Sequence, residues 1–280
     1  VNFLRHITYS NVVVSLSATA LTASTFFYET KVDVYYLLLV FFATLFVYTY
    51  ARFFEGESVD YQNSEITKWH KSHRRWVWFI VVFSVLASIV FAYASLTREQ
   101  WAFGFLLAAI SLAYPLGLRF KGVQSTFKPL RESPGIKLLA IAGVWVAVSV
   151  VFPLWNQWKW VDLALGLSRF FFILAITIPF DIRDYREDSP QMWTLPMIWG
   201  RMRAWQMALI SGGLSAVLLM VYGFNNSVPT TLIAGELLGH SYALIWVYRS
   251  PKQNQDLYFS FWLEISPIIL FSCLYLFSYI

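Results

Sequence analysis

The chain is poor in charge. Asp, Glu, Lys and Arg make up 13% of its 280 residues, against 58% hydrophobic residues. That imbalance excludes a water-soluble domain of this length, which carries about a quarter of its residues charged. Cysteine is nearly absent as well. A single thiol, Cys273, rules out an intrachain disulfide and leaves no thiolate pair for a zinc or iron–sulfur site. Acidic residues are scarcer than basic ones, 16 against 21, giving a formal net charge of +5. The basic residues cluster between apolar runs, which is the pattern of membrane topology and not of a nucleic-acid-binding face. No nucleic-acid partner is expected. No cleavable signal peptide is expected either, because the first apolar segment is long and has no small-residue cleavage site.

What the chain has in abundance is apolar length. Nine windows of membrane-crossing size recur, at about 7–27, 34–54, 76–96, 100–119, 134–154, 161–181, 204–224, 228–248 and 259–279. About 20 apolar residues cross a hydrocarbon core, and lipid forces such segments into helices because it cannot satisfy an open backbone. The expected fold class is therefore all-α: one polytopic membrane domain, residues 1–280, with nine transmembrane helices. The first window is the least lipid-like, since Asn11, Ser15, Ser17 and Thr19 give it a polar face to turn into a bundle. With the N-terminus inside, 17 of the 21 Lys and Arg fall on inner segments, three on outer ones, and Arg169 within a span. The positive-inside rule then predicts an N-in, C-out topology. Trp76, Trp78, Trp101, Trp155, Trp158, Trp160, Trp205 and Trp246 lie near span ends, as an interfacial aromatic belt requires. Connections on the inner side are long, at about 55–75, 120–133 and 182–203, so the working face is expected there.

The sixth window ends in Asp181, Asp184 and Asp188, spaced D-x2-D-x3-D, with Arg183 and Arg186 between them. Carboxylates three residues apart share a helical face, and Mg²⁺ takes one or two carboxylates together with substrate phosphates. The pattern reads either as a metal–diphosphate platform or as a charged stop at the end of a span. Inside the spans, Arg169 and Glu236 lie at matching depths, each eight residues from the outer end of its helix, and are expected to pair. Glu236 and His240 stand at i,i+4, but two residues without a third ligand make a weak metal site. Glu264, nearer the inner end, is a candidate for facing a cavity, and Lys121, Lys128, Arg131 and Lys137 are candidates for meeting a diphosphate.

Nine spans, long inner loops after the second and sixth, and the aspartate spacing together resemble the UbiA-type intramembrane prenyltransferases. Thr194-Leu195-Pro196 followed by Gly200, Tyr114-Pro115, and Arg5 with Asn11 near the start are similar to that family's pattern as well. The resemblance covers essentially the whole chain. It implies an enzyme in which Mg²⁺, held by Asp181, Asp184 and Asp188, faces an isoprenyl diphosphate, with Asp181 and Asp184 catalytic. On the prenyltransferase reading, substrate contacts are expected from Asn11, Arg52, Lys121, Arg131 and Arg183, and the expected home is the bacterial inner membrane. The family's first acidic motif, N-D-x-x-D-x-x-x-D, is missing. Tyr48-Thr49-Tyr50-Ala51-Arg52-Phe53-Phe54-Glu55-Gly56-Glu57 stands there, with Arg52 close to where carboxylates are expected. An arginine there either pairs directly with phosphate or marks a site that has lost a metal. A second reading follows: a non-catalytic protein of the same fold that binds membrane lipid or a quinone-like lipid, or a subunit of a larger assembly with membrane-protein partners. A transporter is a third reading, but broken-helix signals at matched positions are not evident.

Overall fold

The computed structural model describes residues 2–29, 31–55, 65–113, 136–185, 194–253 and 255–280. Regular structure among these residues is entirely helical, and the described part of each apolar window is mainly helical. In chain order these are α1 (Asn2–Tyr9), α2 (Val12–Glu29), α3 (Val34–Glu55), α4 (Glu65–Ser72), α5 (Arg74–Ser95), α6 (Arg98–Ala113) and α7 (Ile136–Val146). They continue with α8 (Asp162–Asp184), α9 (Leu195–Trp199), α10 (Arg201–Asn225), α11 (Thr230–Arg249) and α12 (Ser266–Phe277). Among the described residues five segments combine the length and apolarity of a membrane span, 34–52, 74–95, 162–184, 201–225 and 258–277, or six if the bent first window counts as one. Their side chains agree. On α5, Trp78, Phe79, Val82, Phe83, Leu86 and Val90 are about half exposed or more, an apolar surface that water would not tolerate and lipid would cover.

The first window is not one straight helix. It breaks at Ser10–Asn11 into α1 and α2, bent by 66°. Asn11 takes φ 63°, the left-handed region that asparagine tolerates better than most residues. Its amide donates to Thr49 Oγ1 of α3 at 3.2 Å, holding the corner to the bundle. Most of the polar face turns inward: Asn11, Ser15 and Ser17 are buried and Thr19 is half-buried, and Thr22, Ser24 and Thr25 further along α2 are buried as well.

The principal packing partners are α8 with α10, α3 with α5, and α11 with α12. The last pair meets closely through glycine. A Cβ on Gly239 would lie 2.3 Å from the Cα of Leu270, so only glycine fits. α8 is the most buried of the five span-like segments and carries the expected intramembrane pair. The Arg169 guanidinium donates to the Glu236 carboxylate and to Ser24 Oγ at 2.9 Å, and the Tyr28 hydroxyl donates to Glu236. Both charged side chains are completely buried.

Two helices depart from α geometry, each near a proline. α7 runs into a π-turn at Ala147–Val151, ahead of Pro153. The segment Tyr258–Leu263 is also π-helical and breaks at Glu264–Ile265 before α12, where Pro267 has no N–H to continue the ladder.

Candidate functional site

α8 continues through Pro179 to end at Asp184, so Asp181 and Asp184 fall one turn apart on a single face. Both are buried, at 2% and 7% exposure. Carboxylates that deep need partners, and each has one. Lys137 Nζ, from the start of α7, lies 2.7 Å from Asp181 Oδ1. Arg183 grips Asp184 through two bonds, Nε to Oδ1 at 2.6 Å and a terminal nitrogen to Oδ2 at 3.2 Å. Its other terminal nitrogen reaches Asp256 at 3.4 Å. The same guanidinium lies over the rings of Phe180 and Phe259, 5.4 and 5.2 Å from their centroids, which adds a cation–π contact.

These residues open onto a cavity of about 230 Å³. Its charged wall is Arg52 from α3, Lys137 from α7, Asp181, Arg183 and Asp184 from α8, and Glu264 from the break before α12. Three cations and three carboxylates thus face one space, and Glu264 lies within electrostatic reach of Arg52 and Arg183. The remaining wall is mostly apolar or aromatic, including Tyr48, Trp145 and Phe180. Val47, Tyr48, Ser111, Val144 and Trp145 also line a second cavity of about 330 Å³, so the two spaces adjoin. The second is almost wholly apolar and lies between α2, α3, α5, α6 and α7. Together they form an amphipathic channel with charge at one end and hydrocarbon surface along the rest.

Of the residues picked out from the sequence, Arg52, Lys137, Asp181, Arg183, Asp184 and Glu264 therefore meet at one cavity. Asn11 is not among the lining residues, since its amide is engaged by Thr49. Arg5 pairs with Glu65 of α4 at 3.4 Å, where the Tyr9 hydroxyl also donates to Glu65. Lys121, Lys128, Arg131 and Asp188 lie outside the described residues. Among the described residues no three His, Cys, Asp or Glu side chains converge as a metal site. Glu236 and His240 belong to the sealed core instead: His240 contacts the Glu236 carbonyl at 3.0 Å and Ser215 Oγ at 2.9 Å. Sequence reasoning missed Asp256 as a partner of Arg183 and the apolar extension of the cavity. Both join residues far apart in the chain, and no local pattern announces them.

No protein-family model matches the chain, and no curated protein does. Solved structures do. A UbiA homolog from Archaeoglobus fulgidus bound to GPP and Mg²⁺ superposes with a TM-score of 0.65 at 15% identity, over 99% of this chain and 100% of that one. The apo UbiA homolog from Aeropyrum pernix K1 gives 0.63 at 14%, over 98% of each chain. The chain has the UbiA-type fold. A further structure of the Archaeoglobus fulgidus homolog, bound to DMAPP and Mg²⁺, agrees at 0.63 and 15%, over 99% of each chain. At such identity the UbiA likeness establishes architecture, and the chemistry has to be argued from the cavity.

Proposed function

We propose that this chain is an intramembrane prenyltransferase that draws an isoprenoid diphosphate into the cavity at the end of α8. The observation that carries the reading is the amphipathic channel itself: Arg52, Lys137 and Arg183 at one end, and apolar walls leading away from them. A diphosphate needs cationic donors, while an isoprenoid tail needs hydrocarbon surface. The UbiA homologs that bind GPP and DMAPP with Mg²⁺ support the same reading.

The residues fit one Mg²⁺. Asp181 and Asp184 present two carboxylates to one cavity, and Mg²⁺ completes its shell with phosphate oxygens and water. Asp188, four residues after Asp184 in the sequence, extends the same acidic run. A second ion would need carboxylates from the end of α3, where the chain has no aspartate between Tyr48 and Glu57 and places Arg52 in the cavity wall. Bound there, Mg²⁺ would neutralise the leaving diphosphate. The protein's own groups do the rest. Lys137 and Arg183, now held by Asp181 and Asp184, turn their donors to phosphate oxygens when the substrate arrives. Arg52 takes the place of the missing ion, with Lys121 and Arg131 as further phosphate contacts. Such fixed donors act strongly where water is excluded. Tyr48, Trp145 and Phe180 exclude that water from the allylic cation until an aromatic or other acceptor captures it.

In this proposal all nine helical windows cross the membrane as one domain, N-terminus in and C-terminus out, with the cavity facing the cytoplasm. The membrane is the bacterial inner membrane. The 17-to-3 division of basic residues supports that orientation. A reporter fused after Ile280 should be active outside the cytoplasm, and activity inside would reverse it.

One observation favours a second reading. Asp181 and Asp184 each hold a cation of the protein itself, an arrangement that also suits a non-catalytic binder of a lipid or quinone-like molecule. Such a binder could also serve as a subunit beside other membrane proteins. The deciding assay incubates purified protein with labelled isoprenyl diphosphates, a panel of aromatic acceptors and Mg²⁺. Turnover, or Mg²⁺-dependent diphosphate binding, supports the transferase. Neither of them, with the fold intact, leaves the second reading.

A further inference from the structure

One residue lining the apolar cavity is an aromatic group whose position is held by a hydrogen bond to the neighbouring backbone. Tyr36, at the start of α3, is 6% exposed. It stacks on Phe152 with centroids 5.9 Å apart and meets Phe26 edge-on at 6.0 Å. Its hydroxyl donates to the carbonyl of Val148 at 2.8 Å. The π-turn pairing offers that carbonyl no amide five residues on. In the π-turn at the end of α7, the N–H of Phe152 goes to Ala147. The next residue is Pro153, which has no N–H to give. The tyrosine hydroxyl fills the place of the absent amide, and so fixes its ring in the cavity wall.

α3 runs from Tyr36 to the charged end. Tyr36, Val40, Ala43, Thr44 and Val47 line the apolar cavity, and Val47, Ala51 and Arg52 line the charged one. Sixteen residues of helix between Tyr36 and Arg52 span about 24 Å at 1.5 Å of rise each. A diphosphate level with Arg52 takes roughly the first 5 Å, about one turn of the helix. An extended isoprene unit of four backbone carbons advances on the order of 5 Å at ordinary carbon–carbon bond lengths. The remaining depth holds about four units.

We propose that Tyr36 is the floor of the tail-binding channel and limits its ligand to an isoprenoid of about four units, twenty carbons. The inference rests on the isoprenoid reading above but concerns the tail alone, and it can be tested without turnover. Full-length protein in detergent with Mg²⁺ is titrated calorimetrically with isoprenyl diphosphates of ten, fifteen, twenty, twenty-five and thirty carbons. The corresponding isoprenoid alcohols, which carry no diphosphate, are titrated in parallel. Affinity should rise to twenty carbons and drop about tenfold or more beyond, as expected when a filled apolar pocket is overpacked.

Tyr36→Ala should abolish the drop, and Tyr36→Phe, which keeps the ring, should retain it. Ala43→Phe places a ring about two turns nearer the charged end and should move the limit to about ten carbons. This variant keeps the test alive if Tyr36→Ala fails to fold. A limit seen with the alcohols but no binding of any diphosphate supports the floor and refutes the diphosphate reading. Affinity that keeps rising past twenty carbons, a limit unmoved by Ala43→Phe, or no binding in either series overturns the proposal.

Discussion

α8 carries two clusters of opposite charge, at Arg169 and at Asp181–Asp184, twelve residues or about 18 Å apart along the same helix. Chemically they are alike: carboxylates gripped by cationic side chains. Their surroundings differ. Arg169 and Glu236 are completely buried, held also by Ser24 and Tyr28, and line neither cavity. Asp181 and Asp184 are nearly as buried, but they, Lys137 and Arg183 all border the cavity, and Lys137 keeps a quarter of its side chain accessible. A charge cluster with no free side is a fastener. One with a face on a cavity can exchange its partners for a ligand's, which is the physical content of calling it a site.

Breaking the fastener should have the largest effect on stability. Arg169→Ala or Glu236→Ala strands a buried charge, at a cost of about 3–5 kcal/mol. The thermal midpoint in detergent should fall steeply, or folded protein should be lost. Arg169→Met combined with Glu236→Leu removes both charges and should be milder than either single change. If the double variant is the worst of the three, the pair is doing something other than neutralising itself.

At the open cluster the expected loss is of activity. Asp181→Asn and Asp184→Asn should each remove turnover, since metal neutralisation of a leaving diphosphate supplies several kcal/mol. Each should stay folded, because the amide still hydrogen-bonds Lys137 or Arg183. Full turnover by either variant would reduce the aspartates to structural partners and erase the contrast with Arg169–Glu236.

Gly239→Ala tests the packing that holds the break before α12, and with it Glu264, against the cavity. The added methyl meets the Leu270 backbone and should cost about 1–3 kcal/mol, read as a lower thermal midpoint. An unchanged midpoint would mean that α11 and α12 are not packed as closely as described. The smallest effect is expected from Arg52→Ala. Loss of one phosphate contact should weaken diphosphate binding about tenfold, roughly 1.4 kcal/mol, with the midpoint nearly unchanged. Equal affinity in the variant would leave Arg52 as a counter-charge for Glu264 and not a stand-in for a metal.

Composition alone settled that the chain is helical and membrane-bound in character, because lipid permits no other use of so many apolar windows. Spacing alone put Asp181 and Asp184 on one face, since the α-helical period is a local property. Even the Arg169–Glu236 pair was legible, as two intramembrane charges at equal depth have few alternatives to each other. Only the tertiary structure decided the rest. It broke the first window at Asn11, gave Lys137 to Asp181 and Asp256 to Arg183, and set the Tyr36 hydroxyl on the carbonyl of Val148. It also joined a charged cavity to an apolar one among six helices, α2, α3 and α5 to α8, and the break before α12. Each of these depends on side chains brought together from distant parts of the chain, where hydropathy and helical period carry no information about which neighbour will be met.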